Sequence, residues 1–76
     1  MKNSENNSEL KIRVLTCRSK LEKIGVKMPR HFFCKKYPEF INDENRLNNL
    51  WYAKISNKDF TTKLEAFTTF KEVEFN

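Results

Sequence analysis

Between residues 10 and 24 the apolar side chains fall at Leu10, Val14, Cys17, Leu21 and Ile24, at spacings of 4, 3, 4 and 3, and Gly25, the only glycine of the chain, follows at once. Those spacings put five side chains on one helix face, and a glycine just past the last of them suits a helix C-terminus. The pattern predicts a helix over 9–24. Within it, 11–15 (Lys-Ile-Arg-Val-Leu) also alternates and could open as a strand. A chain of 76 residues is one domain at most. It buries only about 60% of the surface its unfolded form exposes. A cleft between two domains, a TIM barrel and a dinucleotide fold are excluded. Hydrophobic residues make up a lean 38%, and seven Phe, two Tyr and one Trp compensate, since each ring buries a large area.

The remaining elements follow from local signals. Residues 1–8 hold no apolar side chain after Met1 and read as a disordered lead-in, with Ser8 able to cap the first helix. Pro29 suits the first turn of a second helix over 30–37, and Pro38 ends it. Phe32, Phe33, Phe40 and Ile41 would supply core, with 38–43 as a loop. Asp43 reads as the N-cap of a third helix over about 44–55, carrying Leu47, Leu50, Trp51 and Ile55. Ser56-Asn57-Lys58-Asp59 has the form of a capping box. It would open a fourth helix over about 58–70, burying Phe60, Leu64 and Phe67, with Phe70 an open candidate for the same face. Residues 71–76 alternate with period two and read as a tail or a short strand. The expectation is an all-α bundle of four short helices over 9–70.

Charge is unevenly spread. Residues 11–36 carry nine basic side chains against Glu22 alone, a balance of +8 within a chain of net +5. That half would face a polyanion, or be a solvated basic face without a ligand. No apolar stretch approaches the ~18 residues of a membrane span, and Met1–Glu9 lacks the apolar core of a signal peptide. The chain therefore reads as cytoplasmic, with Cys17 and Cys34 reduced.

Enzyme chemistry is sparse. His31, the only histidine, stands three residues before Cys34, one ligand pair where structural zinc wants two. The same pair lacks an orienting carboxylate and an oxyanion hole for nucleophilic work. Glu72 and Glu74 read as exposed tail charges, and one glycine cannot build a phosphate loop. Neither an enzyme nor a cofactor or metal is expected.

The third helix is more informative. Opposite Leu47, Leu50, Trp51 and Ile55 stand Asn45, Asn49, Tyr52 and Ser56, flanked by Arg46 and Asn48. Asn can bond adenine bidentately and Arg guanine. Asparagine is a poor helix former that a merely solvated face would rarely select. Against this, the chain is rich in asparagine throughout, with nine. Phe33-Cys-Lys-Lys-Tyr-Pro38, Arg46-Leu-Asn-Asn-Leu-Trp51 and Asp59-Phe-Thr-Thr-Lys-Leu64-Glu resemble the helix-turn-helix core of lambda-repressor/Cro-type proteins, in their phage and mobile-element branch. The resemblance covers about half the chain, residues 30–67. It implies that the segment around 29–37 is the positioning helix and 44–55 the recognition helix in the major groove. Two departures stand out. Residues 38–43 exceed the usual three- or four-residue turn, and Ala53 and Lys54 stand where the family usually has a glycine.

The leading expectation is a sequence-specific regulator of double-stranded DNA, repressor-like and dimeric. Asn45, Arg46, Asn48, Asn49 and Tyr52 would read bases, and Arg30, Lys35, Lys36, Lys54 and Lys58 would hold phosphates. Phe70, Val73 and Phe75 are candidate dimer contacts, the tail pairing strand to strand. The alternative is a small phage-type protein that blocks a host nucleic-acid enzyme or CRISPR effector through protein contacts, anchored by Phe70, Phe75 and Tyr52. RNA binding ranks lower, because most aromatics fall on core spacing.

Overall fold

A computed structural model describes residues 7–75. The protein is all-α among these residues. α1 spans Asn7–Lys23, α2 Pro29–Lys36, α3 Glu44–Trp51 and α4 Lys58–Phe75, with a short 3₁₀ helix, Pro38–Asn42, between α2 and α3. No strand occurs among the described residues. Residues 1–6 of the expected lead-in lie outside them, but Asn7 and Ser8 already belong to α1, so Ser8 is not its cap. The alternating 11–15 segment is helical as well. Its period-two run is five residues long, whereas the 3.6-period stripe covers the whole element, and burying Leu10, Val14, Cys17 and Leu21 together decides the matter.

The helix ends are set by specific bonds. Gly25 takes φ 85°, its N–H donating to the Glu22 carbonyl while Val26 N–H donates to Leu21. This is the Schellman arrangement for which glycine is suited. α3 closes the same way with a different residue. Ala53 N–H donates to Leu50 and Lys54 N–H to Asn49, with Ala53 at φ 60°. An alanine thus adopts the left-handed conformation that glycine takes more cheaply. This turn stops α3 at Trp51, four residues short of the expected end, and leaves Ile55 exposed rather than in the core.

At the start of α3, Asp43 Oδ1 accepts from Arg46 N–H, as the sequence predicts. At α4 the cap is Asn57, whose Oδ1 accepts from Phe60 N–H, and not Ser56. Ser56 Oγ instead donates to Asn7 Oδ1 and ties the α3–α4 turn to the start of α1. α4 runs on through 71–75, so the expected tail or strand is helix. Extending an existing helix costs little per residue compared with nucleating a new element. Lys71, half-buried beside the Phe67 ring, adds an ion pair to Glu74 at 3.0 Å.

α1 and α4 pack along one another, joined by the fork of Arg13 on Glu65, Nε to Oε2 at 2.9 Å and Nη2 to Oε1 at 2.6 Å. Phe33 of α2 stands fully buried at the centre. Its ring meets those of Tyr37, Phe40, Trp51, Phe60 and Phe67 at centroid separations between 5.1 and 6.3 Å. Of the other α2-region residues expected inside, Phe40 packs against this cluster, whereas Phe32 and Ile41 face solvent. α2 is only eight residues long, so the side that holds Phe33 and Cys34 inward turns Phe32 out. Thr61 and Thr68 are buried within α4. Each hydroxyl donates to the carbonyl four residues back, at 2.8 and 2.7 Å, so neither is left unpaired.

Candidate nucleic-acid interface

α3 is amphipathic in the manner the spacing predicts. Leu47, Leu50 and Trp51 are buried, Asn45 and Arg46 are exposed, and Asn48 and Asn49 are half-buried at the boundary. Asp43 and Glu44 stand at its first turn. The exposed side is therefore mixed in donors and acceptors rather than uniformly positive.

Two arginines from neighbouring elements hold this helix. Arg30 Nη1 of α2 donates to Asn48 Oδ1, so a phosphate candidate and a base-reading candidate form one unit across the two helices. The bond uses one lone pair of the Asn48 amide oxygen and leaves the second lone pair and the NH₂ available to a ligand. Arg18 of α1 acts at the C-terminus of the helix. Its Nη1 donates to the Trp51 carbonyl at 3.2 Å, and its guanidinium lies 5.6 Å from the Trp51 ring and 5.1 Å from that of Tyr52. A cation at a helix C-terminus complements the exposed carbonyls, and a guanidinium over a ring adds a cation–π contact. Tyr52 stands just past the helix as its C-terminal cap residue, with the ring half exposed.

The structure joins Arg30 to Asn48 on one flank of the α3 region and places Arg46 on the other, beside the 3₁₀ helix, with Asn45 and Asn49 between them on the helix. Tyr52 is the C-terminal border of that region. Lys35 is exposed on α2, and Lys54 and Lys58 are exposed in and beyond the turn that follows α3. Lys36 goes elsewhere: its Nζ lies 4.9 Å from the Phe70 ring, on the side of α2 that meets α4. Phe70, an open candidate for the buried face of α4, does not join it; with Val73 and Phe75 it is exposed on a helix, with no free strand edge among them. The strand-paired dimer therefore loses its structural basis.

Arg18 is the residue that sequence reasoning misses. It lies off the apolar stripe of α1, and periodicity carries no information about which neighbouring helix an off-stripe arginine will reach. Its cationic neighbourhood gave it the same weight as any other member of the basic half.

Between α2 and α3 lies a shallow groove of about 260 Å³ lined by Arg30, His31, Cys34, Ile41, Glu44, Leu47 and Asn48. His31 and Cys34 do share it, but His31 packs edge-on against Phe32 at 5.2 Å. Burial pushes the Cys34 thiol above its ordinary value, away from the thiolate a nucleophile or metal ligand needs. The Cys17 thiol is raised by burial as well. Among the described residues no three His, Cys, Asp or Glu side chains converge as a metal site would require, and no helix is long and apolar enough to cross a membrane.

Comparison with known protein families, with curated proteins and with solved structures returned no match.

Proposed function

We propose that this protein binds double-stranded DNA in a sequence-dependent manner, as a transcriptional regulator would, with α3 as the reading helix and α2 crossing the phosphate backbone. The observation that supports this reading is the pairing of Arg30 with Asn48. It joins a positively charged helix to an amide-rich one and fixes donors on both at the same surface. Asn45 and Arg46 are exposed on the same helix and Asn49 is half-buried there, and all three are chemically suited to base edges. Arg30 and Lys35 would meet phosphates, which position a protein on the duplex without reading sequence. The carboxylate of Glu44 can accept from a cytosine amine, so it does not count against a reading role.

Selection from a random duplex pool, at low and near-physiological salt, tests the proposal. Its expected outcome is an enriched site whose affinity falls log-linearly with salt and is retained in part at the higher concentration. Salt-labile retention without any enriched sequence would reduce the basic half to a generic polyanion surface and remove the reading role from α3.

A further inference from the structure

A second face lies where α2 meets the C-terminal half of α4. Phe32 is 39% exposed there, Phe70 51% and Phe75 49%. These side chains form an apolar floor with lysines set into it. Lys36 Nζ is 4.9 Å from the Phe70 ring, and Lys71 Nζ is 5.6 Å from Phe32 and 5.8 Å from Phe70. Beside them a groove of about 360 Å³ runs between the α1–α2 turn and the end of α4, lined by Val26, Lys27, Phe32, Lys71 and Phe75, with Glu74 as the one acidic residue described in that lining. Glu74 is already bonded to Lys71 at 3.0 Å. The face thus combines exposed rings with a net positive rim.

We propose that this face docks an acidic amphipathic helix of a partner protein. The floor offers apolar contact to side chains at the i, i+3, i+4 and i+7 positions of such a helix. Its Asp and Glu residues would meet Lys27, Lys36 and Lys71, and the ammoniums of Lys36 and Lys71 keep N–H donors beyond those aimed at the rings. Charge complementarity decides against the other occupants. A second copy of this chain, at net +5, would bring the same lysines against themselves, with the carboxylate of Glu74 already engaged. Nucleic-acid bases need open ring faces for stacking, and here the ammoniums of Lys36 and Lys71 stand over the rings. The docking surface is independent of the α3 reading. Phe32 and Lys36 lie on the side of α2 away from Arg30, so both surfaces can be occupied at once.

The test is selection of a displayed random-peptide library on the full chain at near-physiological salt. The expected winners are rich in Asp and Glu, with apolar residues at helical spacing. A labelled winner should lose about tenfold in affinity on Phe70→Ser and, separately, on Lys36→Glu. It should bind Asn49→Ala as it binds the unaltered chain. Phe70 and Lys36 stand at the surface, and circular dichroism of each variant checks that the helices remain. The double variant Lys36→Glu with Lys71→Glu should select basic peptides instead, a reversal that loss of folding cannot produce. Winners without acidic residues, or binding insensitive to both single substitutions, overturn the proposal. So does sedimentation of the unaltered chain as a dimer that Phe70→Ser dissociates. Equal loss of duplex and peptide binding on Phe70→Ser would assign the face to nucleic acid and also overturn it. Loss of peptide binding alone on Phe70→Ser, whether or not the chain selects a duplex site, supports the docking surface.

Discussion

The α3 face and the α2/α4 face use their cations differently. Around α3 the charge comes from arginines whose guanidiniums are bonded to named acceptors, Arg30 to the Asn48 amide and Arg18 to the Trp51 carbonyl. Arg18 adds ring contacts to its bond, whereas around Phe70 the ring contact dominates: the ammoniums of Lys36 and Lys71 lie over rings, with Lys71 also bonded to Glu74. A guanidinium is a planar fork that fixes direction, whereas an ammonium is a compact point charge on a flexible stem. The first face is thus built to hold donors in register. The second supplies charge over an apolar floor with little directional demand. Register suits the reading of base edges, and undirected charge on an apolar floor suits a helix that can settle in more than one way.

The harshest way to break the contrast is to remove what both faces share. Phe33 sits beneath both, in contact with rings from α3 and α4. Phe33→Ala should cost about 3–5 kcal/mol, a large part of the stability of so small a domain. Duplex and peptide binding should vanish together in a denaturation series. Survival of either alone would show that one face does not depend on the common core.

Arg46→Ala comes next in size. It should weaken duplex binding by about 1–3 kcal/mol and relax preference at one base position, without change in peptide binding. An equal loss on every sequence would make Arg46 a phosphate contact and remove the distinction in register.

Smaller effects sharpen the geometry of α3. Ala53→Gly should raise stability by about 1 kcal/mol, because it relieves a left-handed alanine, read as a higher urea midpoint. Gly25→Ala should do the reverse by a similar amount; its added Cβ meets nothing within 4 Å, so the cost is conformational alone. Matching shifts of opposite sign would confirm that the two helices end by one mechanism.

The smallest effect concerns a contact on neither face. Lys63 bonds Glu39 and Asp59 and ties the 3₁₀ helix to α4. The bond to Lys63 lowers the Glu39 carboxyl below its ordinary value, and the bonds to Glu39 and Asp59 raise Lys63 above its own. The contribution of Glu39 is complete above the unfolded carboxylate pKa and fades as pH falls through the lower folded value. That of Lys63 is complete below the unfolded lysine pKa and fades as pH rises through the higher folded one. Both groups meet solvent, so the effect is slight. Melting temperature should be flat at neutral pH and dip marginally more at the acid end for the unaltered chain than for Lys63→Met. A larger dip in the variant would place the acid sensitivity elsewhere.

Much of the fold was legible in the sequence. The stripe from Leu10 to Ile24, Gly25 at the end, Pro29 at the start of α2 and Asp43 before α3 all occupy the positions their chemistry predicts. Each is a local signal, complete within a few residues. At two of the places where the reading failed, two local signals competed. Ser56 and Asn57 both qualify as caps; α4 starts at Lys58, which puts Asn57 in the cap position, while Ser56 bonds Asn7. Residues 71–75 fit a strand pattern as well as a helix extension, and they joined the helix beside them.

The candidate site divides in the same way. That Leu47, Leu50 and Trp51 turn inward and Asn45 and Arg46 outward is fixed by the helical period, which sequence alone reveals. Which cation meets which acceptor is not periodic. Arg18 reaching Trp51 from thirty-three residues away, Arg30 reaching Asn48, and Lys36 departing toward Phe70 depend on how the helices pack. A sequence determines the faces of its helices because side-chain direction repeats every 3.6 residues. Only the tertiary structure decides which faces meet, because that depends on the volumes packed around Phe33 and on no repeat within the chain.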